Sequence, residues 1–238
     1  MKKIGLVGGL SWLSTAEYYR RLNQLARQVR GGHHTVDIVL ESLDEGAFLA
    51  AQAGENGEEA CLRLVSAAVG RLRRSGAEII AFCANGIHRF ADAAAAEHGI
   101  RPLSIAGAAA QYAADRAWND VGVIGVAKTM QGTFYPAALA QAGLRCTVPQ
   151  AQEQEQIHRA IVEEMVLGVF SDRSRDMLAG IIRRMDTRAV VLACTELPLL
   201  FALGDETESD LGGTVLISST EVHCRSIIRA AAGSPDAV

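Results

Sequence analysis

Two short apolar runs, each ending in a cysteine, constrain this chain more than any other feature. The first is Ala77-Glu78-Ile79-Ile80-Ala81-Phe82-Cys83-Ala84-Asn85, and the second is Ala189-Val190-Val191-Leu192-Ala193-Cys194-Thr195-Glu196. Runs this short, led in by Gly76 or Arg188, read as strands buried on both faces of a parallel sheet. A side chain just past the carboxyl end of such a strand lies where open α/β sheets bind their ligands. Each run also belongs to a longer frame that occurs twice. Gly5-Leu6-Val7-Gly8 opens the first copy and Gly122-Val123-Ile124-Gly125 the second, with each cysteine following at a comparable distance. Beyond each cysteine comes a helix or loop and then a further strand, Leu103-Ser104-Ile105 or Val215-Leu216-Ile217. Any doubly wound chain repeats βα units, so spacing alone also admits coincidence; the matched thiols favour duplication.

Strand-like runs fall at 4–7, 36–40, 79–82, 103–105, 121–126, 190–193 and 215–217. Helical patterns fall at 14–29, 58–74, 89–98, 107–117, 134–142, 153–167, 174–185 and 221–231. Ser14-Thr15-x-Glu17 reads as a helix start, a hydroxyl capping early N–H groups and a carboxylate at the positive end. This alternation predicts an α/β fold built from βαβ units. The duplicated frame predicts two similar parallel-sheet α/β domains facing each other across a cleft, with Cys83 and Cys194 on opposite walls. The first domain is expected to comprise 1–101 plus 212–238, and the second 102–211. The closing Gly233-Ser234-Pro235-Asp236-Ala237-Val238 reads as a frayed tail.

Composition narrows the class. Of 238 residues, 49% are hydrophobic but only 5% aromatic, a profile that suits an alternating α/β enzyme better than a β-sandwich. A net charge of −4 gives no footprint for nucleic acid, and Arg71, Arg73 and Arg74 read as the solvated end of a helix. Five cysteines with no CxxC pair indicate neither a disulfide framework nor a zinc ribbon, which points to a reducing, cytoplasmic compartment. Lys2-Lys3 before an apolar stretch resembles a short signal peptide. The glycines at 5, 8 and 9 and the lack of an A-x-A site favour a first strand and its loop instead. No apolar run approaches a membrane span, so no membrane partner is expected.

A thiol at a strand-to-helix turn feels the helix dipole and nearby backbone N–H groups, which favour the thiolate and can also hold a carboxylate. Two such thiols suit the removal of a proton from one face of a carbon and its return to the other, each cysteine serving as base in one direction and acid in the other. Cys61, Cys146 and Cys224 lack this context and read as inert. His88 could pair with Cys83 as in a Cys–His hydrolase, or cap and pack the following turn. His33 and His34 lack further ligands, so no metal is expected. Gly5-x-x-Gly8-Gly9 is not a dinucleotide fingerprint, and Lys128-Thr129 lacks the glycine of a Walker lysine. No cofactor is expected.

These residues resemble the aspartate/glutamate racemase superfamily of cofactor-independent, two-cysteine enzymes, over nearly the whole chain. The resemblance rests on Ile4-Gly5-Leu6-Val7-Gly8-Gly9-Leu10-Ser11-Trp12 with Ser14-Thr15-x-x-Tyr18-Tyr19, on Cys83-Ala84-Asn85-Gly86-x-His88, and on Cys194-Thr195-Glu196. It is closest to the branch holding aspartate racemases and broad-range amino-acid racemases. Ala84 and Gly86 depart from hydroxyl residues common in the family. The resemblance implies catalytic Cys83 and Cys194 and a homodimer acting on a small amino acid. It implies substrate contacts at Gly9, Leu10, Gln52, Ala84, Asn85, Gly86, Thr129, Thr195 and Glu196. By residue type alone, Gln52, in the loop expected after the second strand, reads equally as solvated. Other reactions of the superfamily (isomerisation, hydantoin racemisation, decarboxylation) and a non-catalytic carboxylate-binding module remain as alternatives. Aspartate-specific relatives are expected to hold the distal carboxylate with basic side chains, and neither 43–52 nor 161–168 contains one. A substrate other than aspartate is therefore expected, unless Arg89 or Lys128 supplies the charge.

Overall fold

The computed structural model describes residues 1–233; Ser234–Val238, most of the expected tail, lie outside the described residues. The chain divides into two compact units, one formed by Met1–Ser104 with His223–Val238 and the other by Ile105–Val222.

The first unit runs β1 (Ile4–Gly8), α1 (Trp12–Arg30), β2 (Ile38–Ser42), α2 (Glu45–Ala53), α3 (Gly57–Arg74), β3 (Ile79–Phe82), a 3-10 turn over Asn85–Phe90 and α4 (Ala91–Ala96). Its sheet is parallel, in the order β2-β1-β3. Side chains alternate across it as strand geometry requires. Ile4, Leu6, Ile79 and Ala81 pack against Tyr18, Leu22 and Leu25 of α1 and against Ile227 and Ile228. Val7, Ile80 and Phe82 pack against Val65, Val69 and Leu72 of α3.

The second unit runs α5 (Ile105–Ala114), β4 (Asp120–Ile124), α6 (Ala127–Met130), α7 (Phe134–Gln141), β5 (Arg145–Thr147), α8 (Ala151–Arg159), α9 (Asp172–Arg184), β6 (Ala189–Leu192), α10 (Glu196–Leu200), β7 (Glu208–Leu211) and β8 (Thr214–Ser218). Helix α11 (Ser219–Ala232) begins in this unit and ends in the first. The sheet order is β5-β4-β6-β8-β7, parallel except for the β7–β8 hairpin. One face carries Ile124, Val190, Leu192 and Leu216 against Ile157 of α8 and Leu178, Ile181 and Ile182 of α9. The other carries Val121, Val123, Val191 and Ile217 against α5 and α7.

The two units share a strand order. In the first, Leu103 adds a single parallel bridge to Ala81, so the order continues β2-β1-β3-Leu103. The second reads β5-β4-β6-β8 over the same positions. Gly5 and Gly122 also play one role. Each lies opposite a branched residue of the third strand, Ile80 or Val190. A Cβ added at Gly5 would stand 2.7 Å from the Ile80 Cδ1 atom, and one at Gly122 would stand 2.8 Å from the Val190 Cγ2 atom.

Several expectations shift. The strand expected at 103–105 shrinks to one bridge, because Pro102 has no N–H to donate and Ile105 already opens α5. Residues 45–53, expected as loop, form α2, capped by the Asp44 carboxylate accepting from the Ala47 N–H at 2.6 Å. The first helix starts at Trp12 rather than Ser14, with Ser11 at its N-cap. The helix expected over 153–167 ends as such at Arg159 and continues as a wider π turn (Ala160–Glu164) and a 3-10 turn (Met165–Leu167), stopped by Gly168 in the left-handed region. The strand over 214–218 hydrogen-bonds to β6, so the chain rejoins the first unit at His223 rather than at 212.

A polar seam crosses the core of the first unit. The Tyr18 hydroxyl donates to Nδ1 of His223 at 2.8 Å, while Nε2 of His223 donates to the Leu103 carbonyl at 2.9 Å. The His88 ring meets His223 edge-on, with centroids 5.5 Å apart, and its Nδ1 donates to the Ala84 carbonyl at 2.9 Å. Burial pushes His88 down to about 4. Burial, with the neighbouring His88, pushes His223 down to about 3. Both rings are therefore neutral in the folded protein and take up protons near their ordinary pH only when it unfolds. The unfolded chain binds more protons below about pH 6.5, so stability should fall from there down to about pH 4, by about 3 kcal/mol for His88 alone. Urea unfolding from pH 7 to pH 4 should show a steeper loss for the native protein than for His88→Gln; equal slopes would contradict this account.

Candidate active site

In each unit the third strand in order leads into a candidate thiol, beside the loop that follows the second strand in order. With strand order 2-1-3 the connections leave the central strand in opposite directions, and the crevice so formed at the carboxyl ends is where α/β sheets place ligands.

In the first unit, that loop is Gly8-Gly9-Leu10. A side chain at Gly8 would run into Thr15, and one at Gly9, with φ +92°, would sit 2.0 Å from the Leu43 carbonyl oxygen. The glycines thus let the loop lie flat against Leu43 and Thr15. The Gly9 N–H, expected to face a substrate, donates to the Thr15 hydroxyl at 2.8 Å, and Leu10 is half-buried. Cys83 is tied down by its N–H donating to the Val7 carbonyl at 2.9 Å. Its thiol is buried, which pushes it well above the ordinary thiol range.

Ala84 is extended and half-buried, Asn85 is buried at the start of the 3-10 turn, and Gly86 has open space where a Cβ would stand. His88 lies in that turn and holds its own loop, its Nδ1 donating to the Ala84 carbonyl, the contact expected of a packing role. Gln52 lies on α2, where its Oε1 accepts from the Arg89 guanidinium at 3.0 Å. The chain therefore does bring a cation to the segment that lacks one, from the turn after Cys83.

In the second unit, Gly125 follows β4 closely enough that a Cβ there would stand 2.8 Å from the Ala193 carbonyl oxygen. Strand β4 ends at Ile124, two residues short of the expected Val126. Thr129 on α6 is fully buried, and its hydroxyl has no hydrogen-bond partner among the described residues. A buried hydroxyl of this kind is an unfilled donor and acceptor. Lys128 beside it is exposed.

The Cys194 thiol donates to Oε2 of Glu196 at 2.7 Å, and the Thr195 hydroxyl donates to the same oxygen at 2.9 Å. Glu196 is buried in the first turn of α10. Burial first, then the charge of Glu196 and its acceptance of the thiol proton, raise Cys194 well above the ordinary range. The backbone N–H groups of Glu196 and Thr195 pull the other way without prevailing.

Sequence reasoning singled out Cys83, Cys194, Thr195 and Glu196 but missed two features. One is the buried polar group after β8, where the Ser219 hydroxyl donates to the Leu192 carbonyl at 2.8 Å beneath the Cys194 turn, and Tyr135 hydrogen-bonds to Ser219. The polar run Ser218-Ser219-Thr220-Glu221 directly after an apolar strand was the available signal. The other is the set of partners of Arg89, a residue named only as a possible charge for the substrate, because those partners include segments distant in sequence. Cys61 and Cys224 are buried in the core, Cys146 is half-buried, and all five cysteines are free. His33 and His34 are exposed, and among the described residues no group of three or more His, Cys, Asp or Glu could hold a metal ion. Among those residues, too, no helix is long and apolar enough to cross a membrane.

Comparison with known proteins agrees with this picture. The family model described as Asp/Glu/Hydantoin racemase matches residues 7–227. A structure described as a candidate Asp/Glu racemase from Yersinia pestis aligns with a TM-score of 0.89 at 31% identity, over 98% of this chain and 100% of that one. An aspartate racemase homologue from Pyrococcus horikoshii aligns with a TM-score of 0.82 at 29% identity, over 98% and 100%. Glutamate racemase from Aquifex pyrophilus, at 18% identity and a TM-score of 0.65 over 100% and 86%, shares the fold.

The carboxylate beneath Cys194 makes a measurable difference. Since the thiolate is the reactive form, iodoacetamide should label Cys194 slowly at neutral pH. Glu196→Gln removes both the charge and the carboxylate acceptor, so the labelling-versus-pH curve of Cys194, followed by peptide mass spectrometry, should move to lower pH. An unmoved curve, or one displaced upward, would contradict the assigned cause.

Proposed function

Because this chain belongs to the Asp/Glu/Hydantoin racemase family, we propose that it is a cofactor-independent amino-acid racemase in which Cys83 and Cys194 form an acid–base pair at the α-carbon. The observation that carries the reading is the Cys194 thiol on the Glu196 carboxylate at 2.7 Å, at the end of β6, matching Cys83 at the end of β3.

In the proposed reaction a thiolate removes the α-proton, and the electron pair of the broken C–H bond passes into the substrate carboxylate. The other thiol then delivers its proton to the opposite face of the carbon, leaving the roles exchanged. Burial keeps both thiols protonated at rest, with Glu196 adding to the hold on Cys194, so the thiol that serves as base must first give up its proton. When Cys194 serves as base, the same carboxylate is the acceptor through which its proton leaves. The unfilled Thr129 hydroxyl is a ligand for the substrate, joined by Asn85, Thr195, Gln52 and the loops at Gly9-Leu10 and Ala84-Asn85-Gly86. Desolvation of both thiols suits the chemistry, because a buried thiolate is a stronger base than a solvated one.

The side-chain preference follows from charge. The three guanidinium nitrogens of Arg89 are engaged by Gly86, Gln52 and Glu58, so a second substrate carboxylate would have to displace one of them. A desolvated carboxylate without a cation is costly. The proposed substrate therefore has a side chain other than a second carboxylate.

Two experiments test this. In deuterated water, turnover should place deuterium at the α-carbon as it inverts, and Cys83→Ala and Cys194→Ala should each lower inversion by about 10²–10⁴-fold or more. Cys61→Ala, Cys146→Ala and Cys224→Ala should stay near native. Retained protium during inversion, or near-native rates in both site variants, would sink the mechanism. Separately, chiral analysis across the proteinogenic amino acids should find a substrate inverted faster than aspartate; aspartate leading the panel would overturn the side-chain assignment alone.

A further inference from the structure

Helix α2 is lightly held. Of its nine residues only Phe48 is buried, while Leu49 is 54% exposed. Phe48 packs edge-on against Phe90, with ring centroids 6.3 Å apart. The guanidinium carbon of Arg89 sits 4.2 Å over the Phe90 ring. Its Nη1 donates to the Gly86 carbonyl at 2.7 Å, its Nη2 to Oε1 of Gln52 at 3.0 Å, and its Nε and Nη2 to the Glu58 carboxylate at 3.2 and 3.3 Å. One planar cation therefore joins the penultimate residue of α2, the first turn of α3 and the turn that follows Cys83. A lysine, with a single nitrogen, cannot reproduce that fork.

The polarity of the contact has a consequence. Arginine only donates, so the Gln52 amide is oriented with its oxygen toward Arg89 and its NH2 group turned away. We propose that Arg89 is a positioning residue: it ties α2 to the turn after Cys83 and fixes the Gln52 amide so that Gln52 meets the substrate as a hydrogen-bond donor, to a carboxylate or carbonyl oxygen. This rests on the reading above in which Gln52 contacts the substrate, and it adds the residue that orients it. The Glu58 partner is largely exposed, so it balances the charge of Arg89 without withdrawing it from Gln52 and Gly86.

The test combines a measurement that needs no activity with one that does. In the ligand-free protein, Arg89→Met keeps an apolar stem over Phe90 but removes every donor. Backbone amides of α2 should then exchange with deuterium faster, while those of α1 and α3 stay near native. In steady-state inversion of the best substrate from the panel, Arg89→Met should raise KM about tenfold, as expected for a lost hydrogen bond to a charged group, with kcat changed much less. Arg89→Lys should recover part of the loss. Gln52→Glu, which keeps the partner of Arg89 but replaces the outward NH2 by oxygen, should raise KM as much. If Arg89 acts through Gln52, the double variant Arg89→Met/Gln52→Met should be no worse than the poorer single variant. Unchanged exchange in α2, multiplicative effects in the double variant, or a Gln52→Glu protein with native KM would each overturn the proposal. A native protein that inverts no amino acid would instead defeat the racemase reading, and the exchange measurement would still decide the tie itself.

Discussion

The close approach of a glycine on the strand second in sheet order to a branched side chain on the third underlies both units. Gly5 lies opposite Ile80, and Gly122 lies opposite Val190. In each case a Cβ would stand within 2.8 Å of that side chain, nearer than van der Waals contact permits. The absent side chain lets the third strand's residue lean across its neighbour. The strand that runs on into the cysteine is thereby seated against the strand that runs on into the glycine loop. What lies past the two carboxyl ends then follows. Cys83 hangs from the Val7 carbonyl, and the Ala193 N–H donates to the Ile124 carbonyl at 2.8 Å just before Cys194. Backbone bonds made by buried strands hold each thiol at a fixed height above its sheet, a rigidity that side-chain packing alone would not supply.

Much of this was legible in the chain. The apolar run ending in Cys83 lies on a strand with the expected bounds, 79–82, and the run ending in Cys194 on one displaced by a single residue, 189–192 against 190–193. The glycine pairs mark the strand that is second in order in each sheet. Local signal failed where an element is polar or short. Strand β5 is Arg145-Cys146-Thr147, three residues with no apolar run, and it exists because it borders β4. Strand β7 is Glu208-Ser209-Asp210-Leu211, an edge strand whose polar side chains carry no core pattern. Its hairpin was nonetheless written in the sequence, since Gly212-Gly213 supplies two consecutive residues with positive φ, the requirement of a two-residue β-turn. Helix α2 was missed because a nine-residue helix with one buried side chain has almost no amphipathic period.

The site was legible to a different degree. Residue type and position were enough to single out the thiols and Glu196, because the motif that carries them is contiguous. Arg89 was named only as a possible charge for the substrate, because its contacts to Gln52 and Glu58 come from segments that the tertiary structure brings to it. The same holds for Tyr135 and Ser219. Spacing along a chain reports periodic burial well; it reports the convergence of polar side chains from separate elements poorly.

The two thiols are alike in backbone setting and unlike in electrostatics. Burial alone raises Cys83, whereas Cys194 is raised by burial together with a carboxylate that accepts its proton. A reaction that interconverts mirror images has an equilibrium constant of one, so kcat/KM must be equal for the two enantiomers whatever the site looks like. An asymmetric pair of environments therefore cannot favour one product in the proposed reaction. It can shift kcat and KM for the two enantiomers only in step, and set how readily each thiol gives up its proton. Burial holds a proton on both thiols, and Glu196 tightens that hold on Cys194. In the proposed reaction the proton of Cys194 leaves to Glu196 before that thiol acts as base, and this step is where the differing neighbours of the two thiols act.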